Sequence, residues 1–243
     1  MAIVRRRFDA VVFDLFGTLV PEFSRSDFYD SVRSAAGALG LDVEEFEREW
    51  IRTAHERQTG AYRGGVEDNV RAIVDALGRA QPTDEELAAA LATRSSLYDR
   101  WFHPRDGSLE ILRELRARGY PVALVSMCAP DTPDRWRASE MAPLVDVAIF
   151  SSETGLRKPD PEIYLAATEA LGVEPGRCLY CGDGAYGELT GATAVGMTAV
   201  LIRPPDLDVE EALTPEPEED WRGPTIGDLR ELLTLLEPSV EPV

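Results

Sequence analysis

The sequence predicts an α/β protein, a parallel, doubly wound sheet with a small helical bundle inserted after its first strand. Three observations indicate this fold class. Short apolar runs alternate with helical patterns from residue 105 onward, as in proteins whose parallel strands are joined by helices. Residues 21–104 show helical periodicity and no convincing strand. The 243 residues, 44% of them hydrophobic and 28% charged, suffice for a core domain and a smaller insert.

The first strand is predicted at the apolar run Ala10–Phe13, which ends at Asp14. Gly17 follows it and permits a tight turn.

Four helices are predicted in the insert, and four helices within about 80 residues form a small bundle. Ser26 is expected to cap the first helix, which runs through Ala38, and Asp42 to begin the second, with Phe46, Trp50 and Ile51 on one face. The third is expected along residues 66–77. The fourth is expected to be capped by Thr83, with Glu86 in the capping-box position. The chain therefore divides into a discontinuous core, residues 1–20 and 105–243, and a helical domain, residues 21–104.

Strands and helices alternate in the rest of the core. Strands are predicted at residues 122–125, 145–150, 177–180 and 198–202, with helices at 108–118, 161–172 and 188–195 and a last helix that includes residues 226 and 229–236. Cys178 and Cys181 lie three apart in one of these strands and so should point to opposite faces, which disfavours a redox pair.

Polar residues follow the predicted strands at the edge where open α/β sheets bind their ligands. They are Asp14, Ser126, Asp183 and, on the loop after the third strand, Lys158. We expect these side chains to converge, because the carboxyl ends of parallel strands share one edge. Lys158 is the single lysine among 25 Lys and Arg residues, which favours a dedicated role for its compact ammonium group.

These side chains are suited to hydrolysis through a covalent intermediate. A carboxylate such as Asp14 can attack phosphorus or an activated carbon, and water can then hydrolyse the intermediate. Lys158 can neutralise part of the charge of a phosphate, and Asp14 and Asp183 offer the hard oxygen ligands that Mg²⁺ prefers. Backbone N–H groups in the turn through Gly17 and Thr18 can bind the transferring oxygens.

In four segments the sequence resembles the haloacid dehalogenase superfamily, with the segments in the family's order and at its usual separations. They are residues 12–19, 124–126, 157–161 and 182–184. The resemblance extends from about residue 8 to residue 203, and it implies a Rossmann-like core with residues 21–104 as an α-helical cap.

The resemblance also implies roles for the residues at the strand ends. Asp14 is the implied nucleophile, Ser126 and Lys158 hold the transferred group, and Asp183 lies at the metal. The activity that this favours is a Mg²⁺-dependent phosphatase, which acts on a small phosphorylated metabolite and forms an aspartyl-phosphate on Asp14.

One departure from the family's phosphatases keeps other activities open. Those phosphatases carry a second Asp two residues after the nucleophile, as general acid for the leaving group, and this chain has Phe16 there. Losing a positioned acid typically costs ~10²–10⁴-fold in rate. With an aromatic residue at this position, the chain resembles the metal-independent 2-haloacid dehalogenases. Phe16 could instead pack against the cap and leave only its backbone carbonyl for the metal. A non-catalytic ligand-binding protein on the same fold is the third alternative.

The fourth segment favours a phosphatase, since the family's dehalogenases do not carry Gly-Asp at this strand end. The usual partner acid of Asp183 lies four residues later, where this chain has Gly187. Glu188, one residue further, is either a metal-site residue or an acid at a helix N-terminus.

The cap should set substrate specificity, because it closes over the site. Its best candidate for an anionic substrate is Arg63, since the glycine-rich turn at Gly64 and Gly65 lets the backbone approach a ligand. Residues 21–104 contain no lysine, which disfavours the Schiff-base chemistry of the family's phosphonate-cleaving members.

The net charge of −19 makes nucleic acids and anionic membrane surfaces poor partners. No apolar run approaches the ~20 residues that span a bilayer, and the arginine-rich start is not followed by a signal-peptide cleavage site. We therefore expect a cytoplasmic protein that binds a small anionic substrate. The sequence predicts no oligomeric state.

Overall fold

The computed structural model describes residues 6–61, 64–205, 208, 210–213, 218 and 220–237. Within these residues, six parallel strands form one sheet. They are β1 (Ala10–Phe13), β2 (Val122–Ser126), β3 (Val147–Phe150), β4 (Cys178–Gly182), β5 (Thr198–Ile202) and β6 (Thr225–Ile226).

The described chain also contains eleven α-helices. They are α1 (Arg25–Ala38), α2 (Val43–Arg52), α3 (Ala54–Gln58), α4 (Val66–Ala76), α5 (Asp84–Trp101), α6 (Ser108–Ala117), α7 (Thr132–Arg137), α8 (Ser151–Thr154), α9 (Pro161–Leu171), α10 (Glu188–Ala194) and α11 (Leu232–Leu235).

The strand order β3-β2-β1-β4-β5-β6 reverses direction at the centre of the sheet. The chain builds β2 and β3 on one side of β1 and then crosses to β4 on the other side. In open sheets of this kind, ligands bind beyond the carboxyl ends of the strands at such a reversal. Asp14 follows β1 and Asp183 follows β4, so both lie at this point. The predicted α/β class with a parallel, Rossmann-like sheet is confirmed.

The sheet is buried on both faces, which explains why its strands are continuous apolar runs. Along β1, Val11 and Phe13 belong to one hydrophobic cluster, whereas Ala10 and Val12 belong to the other. The same alternation separates the two cysteines of β4. They are free thiols on opposite faces of the sheet, as predicted.

The helices α1, α2, α4 and α5 enclose a hydrophobic cluster of their own. Phe46 and Trp50 are buried in it as predicted, with ring centroids 5.7 Å apart. The prediction that Ile51 shares their face is wrong, because this side chain is 41% exposed. One residue is a rotation of about 100° around a helix, which carries Ile51 past the edge of the apolar stripe.

Two of the predicted helix starts are confirmed by their capping hydrogen bonds. Asp42 Oδ1 accepts from the backbone N–H of Glu45 at 2.9 Å, and Thr83 forms a capping box with Glu86. These bonds satisfy N–H groups that have no partner within the helix.

The prediction of Ser26 as the first cap is wrong. The cap lies two residues earlier, at Ser24, which has extended backbone and whose hydroxyl accepts from the N–H of Asp27 at 3.3 Å. The hydroxyls of Ser24 and Ser26 both donate to Glu211 Oε2, at 3.0 Å and 2.8 Å, and this partner is remote in sequence.

The predicted last helix is also partly wrong. Ile226 lies in β6, where it pairs with Ile202, and a short 3₁₀ helix over Leu229–Glu231 precedes α11. A strand of two residues is too short to show alternation, so its sequence could not be distinguished from a helix start. The helices α3, α7 and α8 were not predicted, because they are too short to show a periodic pattern.

The helices α1 to α5 come between β1 and α6 in the chain, as the predicted insertion requires. They contact the core through side chains: Arg94 Nη2 donates to Asp131 Oδ1 at 3.0 Å, and Gln58 Nε2 donates to the Tyr186 hydroxyl at 3.2 Å. The division into core and cap domains at residues 20 and 104 stays a prediction. Among the described residues, no helix is both long enough and apolar enough to cross a bilayer.

Candidate active site

The predicted convergence of Asp14 and Lys158 is present at the centre of the sheet. The backbone N–H of Asp14 donates to the carbonyl of Cys181 at 2.9 Å, which ties the end of β1 to β4. Lys158 Nζ donates to Asp14 Oδ1 at 2.5 Å and to Glu188 Oε2 at 2.5 Å. The Lys158 side chain is 1% exposed, so the single lysine of the chain is buried between two carboxylates.

Glu188 begins α10, and its side chain is buried at the sheet. Its Oε2 also accepts from the Tyr180 hydroxyl at 2.7 Å, and its Oε1 accepts from the N–H of Gly184 at 2.9 Å. Gly182 allows this approach, because a β-carbon there would lie 2.0 Å from Glu188 Oε1. Glu188 is therefore an acid of the buried site as well as the first residue of a helix.

Asp183 completes a cluster of three carboxylates. One oxygen from each of Asp14, Asp183 and Glu188 lies within 4.8 Å of the other two. Asp183 Oδ1 accepts from the N–H of Ala185 at 2.9 Å, which fixes its orientation. Hard oxygen ligands at this spacing fit a divalent cation.

Burial and mutual repulsion shift the pKa values in this cluster. Burial raises the pKa of Asp14 to about 7, although the Lys158 ammonium opposes this rise and the Glu188 carboxylate adds to it. The pKa of Asp183 is raised well above its usual range by burial and then by the charges of Glu188 and Asp14. Burial disfavours the charged form of Lys158, but the two carboxylates outweigh it and raise its pKa. Three carboxylates and one ammonium leave excess negative charge, which a divalent cation would neutralise.

Two buried hydroxyls lie on the predicted site segments. Thr18 Oγ1 and Ser126 Oγ have no hydrogen-bond partner within the described part of the chain. A buried unpaired hydroxyl costs about 1–3 kcal/mol, so both are suited to bind the oxygens of a ligand. The backbone N–H of Thr18, which the sequence predicts to bind a ligand oxygen, donates to the carbonyl of Leu15 at 3.3 Å. The hydroxyl of Thr18 is therefore a better candidate for a ligand contact than this N–H.

The comparison with protein families agrees with this geometry. The family model described as haloacid dehalogenase-like hydrolase matches residues 8–196, which include Asp14, Ser126, Lys158, Asp183 and Glu188. The chain belongs to the haloacid dehalogenase-like hydrolases. It is therefore a hydrolase by family, which favours an enzyme over the non-catalytic alternative.

The relatives of this haloacid dehalogenase-like hydrolase include proteins named as phosphatases and proteins named as haloacid dehalogenases. The chain is 26% identical over 231 residues to glyceraldehyde 3-phosphate phosphatase of Methanopyrus kandleri, covering 93% of this chain and 96% of that one. It is 27% identical over 224 residues to (S)-2-haloacid dehalogenase 4A of Burkholderia cepacia, covering 82% and 86%. The crystal structure of a HAD phosphatase from Thermococcus onnurineus shares the fold, with a TM-score of 0.63 and 22% identity over 95% of this chain and 98% of that one.

Phe16 stands at the position where the resemblance predicts the general acid of a phosphatase, and its ring lies in an aromatic cluster. The centroid distances from Phe16 are 4.9 Å to Phe23, 6.1 Å to Phe102 and 6.5 Å to Tyr98. The ring thus packs against residues from the predicted cap. A role for the backbone carbonyl of Phe16 at a metal stays a prediction.

The prediction for Arg63 falls outside the described residues. The neighbouring glycines have a structural role of their own, because Gly65 is the N-cap of α4 and its N–H donates to Asp68 Oδ2 at 2.9 Å.

Sequence patterns missed the tyrosines that hold Glu188. Tyr180 donates to its side chain, and the Tyr164 hydroxyl donates to its backbone carbonyl at 3.1 Å. Tyr180 could have been found, since a tyrosine in a strand buried on both faces requires a partner for its hydroxyl.

A cavity of about 310 Å³ opens beside the carboxylate cluster. Phe16, Met127 and Tyr186 line it, and they lie two, one and three residues after Asp14, Ser126 and Asp183 respectively. Sequence patterns could not predict this cavity, because its other walls come from α1, α2, α3, α5 and several loops.

Proposed function

We propose that this hydrolase is a Mg²⁺-dependent phosphatase of small phosphate monoesters, with Asp14 as its nucleophile. The observation that carries the proposal is the buried cluster of Asp14, Asp183 and Glu188. Three carboxylates repel one another in a buried site, and the single ammonium of Lys158 compensates for only one of the three charges when all are ionised. We also propose that residues 21–104 act as a cap over this site.

The donor set fits Mg²⁺, which prefers a few carboxylate oxygens together with water and substrate oxygens. Asp14 and Asp183 would hold the ion, with Glu188 beside them and the carbonyl of Phe16 as a further candidate. When bound, Mg²⁺ would neutralise negative charge on the phosphate and on the nucleophile.

The first step transfers the phosphoryl group to the protein. An oxygen of Asp14 attacks phosphorus, the bond between phosphorus and the alcohol oxygen breaks, and an aspartyl-phosphate forms. Lys158, 2.5 Å from Asp14, opposes the effect of burial and favours the ionised nucleophile. The hydroxyls of Ser126 and Thr18 would donate hydrogen bonds to the phosphoryl oxygens.

The second step releases inorganic phosphate. Water attacks the phosphorus of the aspartyl-phosphate, the bond to the Asp14 oxygen breaks, and the carboxylate is restored. Because Phe16 supplies no proton in the first step, the departing alcohol oxygen takes one from water, and the attack of water in the second step releases a proton in return. Substrates with good leaving groups should therefore react fastest.

Hydrolysis of p-nitrophenyl phosphate tests this proposal, since its leaving group requires no acid. We expect turnover with Mg²⁺ and its loss with a chelator, and we expect Asp14→Asn to be inactive. Asp30→Asn is the matched control, because Asp30 lies on α1 with 73% of its side chain exposed. Equal rates with Mg²⁺ and with chelator would contradict the proposed role of Mg²⁺ in the reaction.

Phe16 supports a second candidate function, the metal-independent dehalogenation of a 2-haloacid. There Asp14 would attack the carbon that carries the halogen, halide would leave, and water would hydrolyse the resulting ester. Chloride release from 2-chloropropionate in the presence of chelator, lost in Asp14→Asn, would favour this candidate over the phosphatase.

A further inference from the structure

We propose that the alcohol part of the substrate is a compact aromatic or similarly apolar group, and that it binds in the cavity beside the carboxylate cluster. The inference rests on the proposed phosphatase function and adds the class of substrate to it. Its basis is the chemistry of the cavity walls.

The cavity adjoins the segments that would bind the phosphate. Its inner wall includes Phe16 and Met127, which directly adjoin the segments of Asp14 and Ser126. A phosphate bound at those two residues would therefore project its alcohol into this space. With about 310 Å³, the cavity lies at the lower limit of the roughly 300–1,000 Å³ that is typical of ligand pockets, so the group must be compact.

Seven of the 17 residues that line the cavity are aromatic. Besides Phe16 they include Phe23, Phe28, Trp50, Tyr98 and Tyr186. The rings are already arranged as neighbours: the centroids of Phe23 and Tyr98 are 5.2 Å apart with the planes inclined at 72°. An apolar ring between such walls would gain tilted and edge-to-face contacts as well as burial.

The Arg94 and Tyr98 side chains, which line the cavity, are hydrogen-bonded within the protein. Arg94 Nη2 donates to Asp131 Oδ1 at 3.0 Å, and the Tyr98 hydroxyl donates to the same oxygen at 2.8 Å. The Tyr98 hydroxyl also lies 2.7 Å from Thr132 Oγ1. These groups are fixed by one another, so they contribute little to the recognition of substrate hydroxyls.

The polar groups on the α3 side of the cavity are occupied in the same way. Gln58 Nε2 donates to the Tyr186 hydroxyl at 3.2 Å, and Arg57 Nη1 donates to the carbonyl of Trp50 at 2.6 Å and to Thr53 Oγ1 at 2.5 Å. A substrate rich in hydroxyls or a charged amino acid would have to break these bonds or leave its own polar groups unpaired. Either outcome weakens binding.

The test compares alkyl phosphates whose leaving alcohols are similarly basic, so that the absent general acid affects them all alike. We expect kcat/KM for 2-phenylethyl phosphate to exceed that for ethyl phosphate and for O-phosphoserine by about 10- to 100-fold, the gain from burying one aromatic group. The non-hydrolysable 2-phenylethylphosphonate should inhibit more strongly than ethylphosphonate by a similar factor, which measures binding without turnover.

Variants locate the preference. Ala54, at the start of α3, lines the cavity, and Ala54→Phe should lower the ratio of kcat/KM for 2-phenylethyl phosphate over ethyl phosphate by at least about tenfold, since it fills the space that one aromatic group would occupy. Ala88→Phe on the exposed face of α5 is the matched control and should keep the wild-type ratio. Phe28→Ala removes a wall of the cavity instead of filling it, and it should lower the ratio as well. This second variant keeps the test decisive if Ala54→Phe does not fold.

The outcomes separate this inference from the function on which it rests. If p-nitrophenyl phosphate is not hydrolysed, the proposed function fails and the inference fails with it. If monoesters are hydrolysed but ethyl phosphate or O-phosphoserine equals 2-phenylethyl phosphate, the phosphatase stands and the inference is overturned. A preference that survives both Ala54→Phe and Phe28→Ala would overturn the assignment to this cavity.

Discussion

A β-carbon on Gly17 would lie 2.3 Å from Oδ2 of Asp183, closer than non-bonded atoms approach. Gly17 also has φ +73°, a backbone conformation that side chains disfavour. The turn after β1 and the end of β4 therefore meet as closely as glycine alone permits. This contact holds the Asp183 carboxylate beside Asp14, and the spacing of the candidate metal ligands depends on it.

Gly17→Ala is expected to lower phosphatase kcat/KM on the order of 100-fold. The new methyl group must displace the Asp183 carboxylate or the turn that carries Asp14, and a shift of about 1 Å can cost that much in rate. Steady-state kinetics with p-nitrophenyl phosphate and Mg²⁺ would measure the loss.

Gly40→Ala is the matched control for this substitution. Gly40 has φ +64°, but its β-carbon would meet nothing within 4 Å. It should cost about 1–2 kcal/mol of stability through backbone strain and leave kcat/KM unchanged. A Gly17→Ala protein as active as Gly40→Ala would show that the approach to Asp183 has no catalytic consequence.

Asp183 and Glu188 should differ in their effect on the metal requirement. The oxygens of Glu188 already accept from Lys158, Tyr180 and Gly184, whereas Asp183 accepts from Ala185. Asp183→Asn should raise the Mg²⁺ concentration for half-maximal activity at least about 10- to 100-fold. Glu188→Gln should raise it less and lower kcat more, because it disturbs the lysine beside the nucleophile.

Titration calorimetry of Mg²⁺ binding to both variants would check this order without relying on turnover. Asp30→Asn, on the exposed surface of α1, supplies the control. If Glu188→Gln weakens Mg²⁺ binding more than Asp183→Asn does, Glu188 is the principal ligand.

The Mg²⁺-free protein should lose stability as the pH rises from about 5 to 8. Burial raises the pKa of Asp14 from 3.8 to about 7, and burial with neighbouring charges raises the pKa of Asp183 well above 3.8. The folded state thus retains protons that the unfolded state releases, so the stability that these groups contribute is complete below pH 3.8 and is lost as the pH rises through the folded pKa values. Each group contributes a slope of at most about 1.4 kcal/mol per pH unit.

Denaturant unfolding at several pH values, with and without Mg²⁺, would measure this loss. The stabilisation by Mg²⁺ should be larger at pH 8 than at pH 5.5, since the ion binds the ionised carboxylates. Asp183→Asn should flatten the pH dependence, which separates the cluster from the general repulsion of a chain with a net charge of −19. A wild-type protein whose stability does not fall over this range would contradict the raised pKa values.

Much of the site could be predicted from sequence because the residues that follow buried parallel strands meet at one edge. That rule selected Asp14, Ser126 and Asp183 as candidates, and the rarity of lysine selected Lys158. Each of these signals is local in the chain. The structure brings Asp14, Lys158 and Asp183 together, with Glu188, in one buried cluster.

What could not be predicted depends on contacts between distant segments. Ser24 and Ser26 are equally good caps by type, and both donate to Glu211, a residue that is remote in sequence. Ile226 becomes a strand residue only because Ile202 lies beside it. The cavity is likewise lined by residues from helices and loops that are far apart in the sequence.

Phe16→Asp tests whether the missing acid limits the reaction. The new carboxyl would occupy the position of the family's general acid, and the aromatic neighbours at 4.9–6.5 Å would favour its protonated form. We expect the ratio of kcat for ethyl phosphate over p-nitrophenyl phosphate to rise about 10²-fold, because only the poor leaving group benefits from a proton donor. The ratio is the useful measure, since the loss of aromatic packing affects both substrates.

Phe16→Asn is the control, with the same size and polarity but no proton to donate at neutral pH. Its ratio should remain near that of the wild type, even if its stability falls as much as that of Phe16→Asp. If the two variants show the same ratio, the proton needed by the leaving group does not come from this position. The reaction would then be limited elsewhere, and Phe16 would matter chiefly as a wall of the cavity.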